Sequence, residues 1–281
     1  MIGIIGGTGL YKIDGLSDLQ QETVETPFGV PSAAVMTGKL GAKTIAFLPR
    51  HGNSHELLPS EVNYRANIFA LKSLGVTQVV SVSAVGSLAE EVAPGSLVLP
   101  SQYLDLTKGV RAPSFFGDGL VGHISSAKPV CGDLVAAIHK AGQCADVEIM
   151  TGATYACVEG PRLGTSAESH MLRGFGAKIV GMTNVPEVFL AREAQVCYAS
   201  ICVVTDYDSW RNDPAEHATV DAILTRYQSS ISKVKGVIHE LIESYDGSST
   251  CPCRTALGSA LLTSRDKFNP KHRSIVSILE I

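Results

Sequence analysis

The chain has 281 residues, 45% hydrophobic and 18% charged, enough apolar material for one large domain. A net charge of -4, with no basic face and no block of like charges, excludes nucleic acid as the natural partner and leaves a small molecule. No stretch reads as a membrane span, and the start at Met1 lacks the basic, long apolar character of a secretory signal, so a cytoplasmic protein is expected.

The first element, Gly3-Ile4-Ile5, runs as a strand into Gly6-Gly7-Thr8-Gly9. These glycines are spaced differently from a dinucleotide fingerprint and open no good helix, so a phosphate loop with Thr8 as an extra donor fits better; a plain glycine turn fits as well. Lys43 to Leu48 is a second strand, ending at Arg50 and His51. A guanidinium at a strand end can grip phosphate bidentately, and His51 can add a donor or hold the anion in place. Ser60 should open a helix that Gly75 stops, and Gln78 to Ser83 should be a buried strand feeding a loop of small residues, Ser83-Ala84-Val85-Gly86-Ser87. Leu97 to Tyr103 is another strand, and the Gly/Pro/Phe-rich stretch after it, as far as His123, is irregular.

Thr154 to Val158 is a strand that turns through Glu159-Gly160-Pro161-Arg162, Leu163 and Gly164 into a capping box, Thr165 to Glu168, and a helix through Arg173. Ile179 to Met182 enters Thr183-Asn184-Val185-Pro186-Glu187, where the Asn184/Glu187 spacing and Pro186 mark a helix start. That helix should run to about Gln195 and lead to a buried strand, Cys197 to Thr205, completing a parallel βαβ unit. Thr183 and Asp206 then fall at carboxyl ends of strands, where such sheets bind ligands, and Asp206 and Asp208 point to one side. Turn aspartates that merely cap a loop are the plainer reading of that pair. Apolar residues from Val220 to Tyr245 keep a helical period over about seven turns. Residues 246–253 resemble a solvated linker and the tail to Ile281 is weakly patterned. Cys251 and Cys253 stand in that linker, and no second Cys or His pair stands at zinc-finger spacing, so no metal is expected.

Taken together, the Gly6 to Gly9, Arg50 to Gly52, Asn63 to Asn67, Ser83 to Ser87, Glu159 to Arg162, Met182 to Glu187 and Thr205 to Asp208 motifs resemble the trimeric purine nucleoside phosphorylases. Within that family they look closest to the branch acting on S-methyl-5'-thioadenosine. The resemblance runs from Ile2 to about Tyr245. It implies an α/β fold, a single domain over residues 1–281 with a mixed central β-sheet flanked by α-helices, residues 246–281 being a C-terminal extension. It also implies a homotrimer that needs no cofactor and uses inorganic phosphate as co-substrate.

By position, the resemblance gives phosphate to Thr8, Arg50, His51, Ser83, Ala84 and Thr183. Met182 lies under the ribose and Asp206 and Asp208 face the purine. Leu163, beside Gly164, replaces a base-stacking phenylalanine. Asp206 would share or donate a proton to purine N7 as the glycosidic bond breaks. Asp208 would accept from a 6-amino group, and Val220 would offer an apolar wall to a methylthio group. His123 and Leu279 would close a neighbour's site. A 6-oxopurine nucleoside phosphorylase shares the phosphate set and is the main alternative. A hydrolytic nucleosidase would leave Arg50, His51 and Thr8 surplus, an NAD-linked oxidoreductase would leave all but the first loop unexplained, and a binding module would release no base.

Overall fold

The structure, a computed structural model, describes residues 1–7, 10, 15–211, 219–247 and 250–280. The strands are β1 (Ile2–Gly6), β2 (Leu16–Glu22), β3 (Val35–Leu40), β4 (Lys43–Pro49), β5 (Gln78–Ser87), β6 (Leu97–Leu106), β7 (Ile149–Val158), β8 (Ile179–Gly181) and β9 (Cys197–Tyr207). The helices are α1 (Tyr64–Ser73), α2 (Gly132–Cys144), α3 (Ser166–Gly174), α4 (Asn184–Glu193), α5 (Val220–Ser244) and α6 (Pro270–Leu279). All the strands join one mixed sheet in the order β2-β3-β4-β1-β5-β8-β7-β6-β9. Because β9 also pairs with β5, the last five strands close into a ring.

Strand β1 shows why the sheet sits between two helix layers. All five of its residues are buried, yet neighbours along it enter different cores, as the alternation of side chains across a pleated strand requires. Ile5 packs with Ile68, Val188 and Leu279 on the side of α1, α4 and α6. Ile4 packs with Ile138, Val237 and Leu241 on the side of α2 and α5. At the open edge, β2 is polar and mostly exposed, which discourages pairing with another chain.

The mixed sheet flanked by helices is as expected, but several local expectations are corrected. Helix α1 starts at Tyr64 instead of Ser60, since the Asn63 side chain caps it by accepting from Ala66 N–H at 3.1 Å. Ser83 to Ser87 is no loop: β5 continues through Ser87, held by β9 along its length. The unit from Ile179 to Thr205 is not a parallel βαβ. Strand β8 runs antiparallel to β5 while β9 runs parallel to it, one on each side, because closing the ring mixes strand directions.

Asn184 and Glu187 do not form a capping box, since both are buried and their side chains reach across to other elements. The capping box from Thr165 to Glu168 is present as expected. The tail is more ordered than its pattern suggested. Asn269 caps α6, whose Ile275, Val276 and Leu279 enter the core. Leu279 is therefore fully buried in its own chain and cannot close a neighbour's site.

Candidate active site

Register places the candidate residues around the carboxyl half of β5. Ser83 pairs with Cys202 and Gly86 with Asp206 on β9, while on the other flank Gly86 pairs with Val180 of β8. Running antiparallel, β8 delivers Met182, Thr183 and Asn184 alongside Ala84 and Ser83, and the Ser83 hydroxyl bonds Asn184 Oδ1 at 3.3 Å. Strand β4 ends beside β1, where Arg50 N–H donates to Gly6 O at 3.0 Å. Arg50, His51, Ser83, Ala84 and Thr183 thus come to one end of the sheet. Thr8 lies outside the described residues.

Two features of this end suit an anion. Ala84 is exposed within a strand whose flanking Ser83 and Val85 are buried, so the strand is accessible there. Thr183, at the start of α4, has a buried hydroxyl with no hydrogen-bond partner among the described residues. Buried polar groups rarely go unmatched, and each unmatched one costs about 1–3 kcal/mol. An incoming oxygen would remove that cost.

Arg50 departs from expectation. Its guanidinium, 1% exposed, donates to Glu187 through Nε at 2.7 Å and Nη2 at 3.0 Å, to Ser81 Oγ at 2.6 Å and to Val82 O at 3.0 Å. Burial opposes its charge, but the carboxylate of Glu187 outweighs that and holds it ionised. Of five N–H groups, these bonds to the described residues leave one, on Nη1, so a bidentate grip on phosphate is not available. Glu187 also accepts from Ser81 Oγ and Tyr198 Oη, each at 2.8 Å.

His51 is likewise restricted. Its Nδ1 lies 2.9 Å from Leu57 O, which assigns the proton to that nitrogen, and the ring stacks on His55 with centroids 4.5 Å apart. Burial and the Arg50 charge lower it to about 4. A neutral His51 then presents Nε2 as an acceptor, suited to the O–H of hydrogen phosphate and unable to be the extra donor.

The carboxylates lie at the other side of β5. Asp206 Oδ1 accepts from Thr205 Oγ1 at 2.6 Å, and the Ser169 hydroxyl of α3 donates a short hydrogen bond to Asp208 Oδ2. Burial raises the carboxyl of Asp206, and Asp208 adds to this against the pull of Thr205. Burial raises Asp208 as well, opposed by Ser169. Gly86 makes the approach possible: a Cβ there would stand 3.3 Å from Asp206 Oδ2 and 3.3 Å from Asp208 Cβ. Gly164 is within van der Waals reach of Asp208, at 3.6 Å from Oδ2 for a Cβ, and exposed Leu163 stands beside it.

Arg111 is a contributor that sequence reasoning missed. Though in the irregular stretch, it is 5% exposed, pairs with Glu159 at 2.7 Å and donates to Met182 O at 2.6 Å and Val185 O at 2.7 Å. It fixes the turn carrying Met182 and Thr183, and the thioether of Met182 fills the space beside Gly160. A lone Arg between Val110 and Ala112 gave no signal of this. His123 is exposed and held by its N–H to Ala260 O at 2.8 Å. Val220 opens α5 and is 66% exposed, following the undescribed residues 212–218.

Comparison with known proteins gives a consistent result. Residues 1–243 match the family model described as Phosphorylase superfamily. The S-methyl-5'-thioadenosine phosphorylase of Geobacter sulfurreducens is 48% identical, over 94% of this chain and 92% of the relative. A methylthioadenosine phosphorylase from an antarctic soil metagenomic library superposes with a TM-score of 0.93 at 42% identity, covering 99% of this chain and 98% of that one. An adenosine/methylthioadenosine phosphorylase mutant from Schistosoma mansoni, solved with methylthioadenosine, gives a TM-score of 0.81 at 36% identity over 86% of this chain and 90% of that one.

Proposed function

The chain belongs to the phosphorylase superfamily, and from that premise we infer that it phosphorolyses S-methyl-5'-thioadenosine to adenine and 5-methylthioribose 1-phosphate. It is a pentosyltransferase with inorganic phosphate as co-substrate. The observation that carries this reading is the division of labour across β5, with an orphaned hydroxyl and an open strand on one side and two carboxyls raised by burial on the other.

Breaking the C1'–N9 bond leaves a cationic sugar and an anionic base, and both must be stabilised together. Phosphate stands below C1', held by Thr183, Ser83, the β5 backbone at Ala84, His51 Nε2 and the last Nη1 proton of Arg50. One of its oxygens bonds C1' as the electron pair of the glycosidic bond passes to the purine. Asp206, whose hold on a proton is strengthened by burial, gives a proton to N7 and regains one from solvent after release. Asp208, oriented by Ser169, accepts from the 6-amino group, and that disfavours a 6-oxopurine. Met182 lies under the ribose, with Leu163 and Gly164 near the base.

The same reading takes residues 1–281 as one domain without a cofactor, and the assembly as a homotrimer in the cytoplasm. No described helix is long and apolar enough to cross a membrane. Val220 and Leu224, exposed at 66% and 50% on the first turns of α5, are apolar surface that a bound methylthio group or a neighbouring subunit would cover. His123 is the residue assigned to the neighbour's site.

The test is adenine release from methylthioadenosine, with inosine alongside, with and without phosphate. Phosphate-dependent adenine release with little turnover of inosine is expected. Release without phosphate would mean a nucleosidase, and a preference for inosine would overturn the role of Asp208.

A further inference from the structure

Four cysteines that the reaction does not use meet at the opposite end of β9 from Asp206. Cys131 stands at the start of α2, Cys197 opens β9, and Cys251 and Cys253 flank Pro252 in the segment after α5. They are buried, at 1–6% exposure, instead of lying in a solvated linker. Spacing alone could not reveal the cluster, because the partners of the Cys-Pro-Cys pair come from two distant segments.

All four Sγ atoms lie within 4.8 Å of one another, with Cys131 and Cys251 at 3.5 Å, and none is in a disulfide. A disulfide needs about 2.05 Å between sulfurs. Four thiolates at about 2.3 Å from a zinc ion stand about 3.8 Å apart, close to what is seen.

Charge supplies an independent argument. Arg192 Nη1 donates to Cys253 Sγ at 3.4 Å. Lys72 is 2% exposed, with the Arg254 guanidinium and the Cys197 sulfur both near it. Among the described residues Lys72 forms no salt bridge. A buried ammonium without an anion is costly. Zinc with four thiolates carries a net double negative charge, which the neighbouring cations Arg192, Lys72 and Arg254 offset.

We propose that Cys131, Cys197, Cys251 and Cys253 hold a structural zinc ion that clips the C-terminal segment to α2 and the start of β9. Binding exchanges four thiol protons for one Zn²⁺, and the closed set of four sulfurs leaves no position for water or substrate. Beyond the clip the chain continues to Ala260, which holds the His123 backbone, and to α6, which packs in the core. The ion therefore secures the extension to the body.

The test is metal analysis of the untagged chain purified without chelator. One zinc per chain is expected, lost in the Cys251→Ser/Cys253→Ser double variant and kept when the exposed Cys144 is changed to Ser. Chelation should lower the thermal midpoint by several degrees, and added Zn²⁺ should restore it. Should the double variant not fold, Co²⁺ exchanged into the unaltered chain should show the intense visible bands of tetrahedral thiolate. Absence of bound zinc, a mass four hydrogens light from two disulfides, or Co²⁺ bands typical of oxygen ligands would each overturn the proposal.

Discussion

Replacing Glu187 with Gln probes the buried pair on which the anion end rests. The carboxylate takes two hydrogen bonds from Arg50 and one each from Ser81 and Tyr198. In the Glu187→Gln variant one carboxylate oxygen becomes an amide nitrogen that faces the Arg50 Nε–H, donor against donor, and the guanidinium is left buried without its counter-charge. Breaking such a pair from one side costs about 3–5 kcal/mol. At about 2–4 °C per kcal/mol for chains of this size, the thermal midpoint should fall by roughly 10 °C.

Phosphate supplies the check that separates this cause from general damage. An anion near Arg50 now replaces the lost charge, so saturating phosphate should raise the variant's midpoint more than that of the unaltered chain. A ligand at a hundred times its Kd stabilises by about 2.7 kcal/mol. Differential scanning calorimetry across a phosphate series reads both effects. A midpoint within about 2 °C of the unaltered chain, or equal stabilisation of both by phosphate, would refute the reasoning.

Three further outcomes follow from the same geometry. Thr183→Val removes the orphaned hydroxyl at nearly constant shape, so KM for phosphate should rise about tenfold while the thermal midpoint holds or rises; an unchanged KM would remove Thr183 from the site. Asp206→Asn should lower kcat by about a hundredfold or more with modest change in KM, and near-normal turnover would end its role as acid. Glu193, which accepts from Ser114 Oγ and Phe115 N–H at 2.8 Å each, is raised by burial from 4.5 to about 7. Its folded state holds the proton more tightly, so its contribution is fully present below pH 4.5 and lost as pH rises through 7. Relative to Glu193→Gln, the unaltered chain should lose up to about 3 kcal/mol between pH 5 and 8, and parallel pH–stability curves would contradict this.

The buried strands were legible because they read as apolar runs and end in glycine or polar punctuation, whereas the polar, exposed β2 and its partner β3 gave no such run. Strand β9, with nine of eleven residues buried, is the plainest case. Direction was not legible: whether β8 runs with or against β9 is decided by pairing across β5, which no local pattern encodes. Asn184 and Glu187 have the spacing of a cap, but burial of the helix start turns both toward other partners, so one spacing serves two different structures. That Arg50, His51, Ser83, Ala84 and Thr183 gather at one end of the sheet was legible, and their bonds were not. Nothing near Arg50 in the chain indicates that Glu187, 137 positions on, takes two of its donors.

That pairing also bears on how phosphate would act. If Arg50 gave its full charge to phosphate, the dianion would bind tightly but lose much of the negative charge it must turn toward the cationic sugar. With Arg50 balanced by Glu187, phosphate meets one guanidinium proton, hydroxyls and backbone dipoles instead, which orient it while leaving its charge for the transition state. Glu187→Gln should then bind phosphate more tightly and turn over more slowly, with KM and kcat falling together. A fall in kcat with a rise in KM would mean that Glu187 only holds the site in shape.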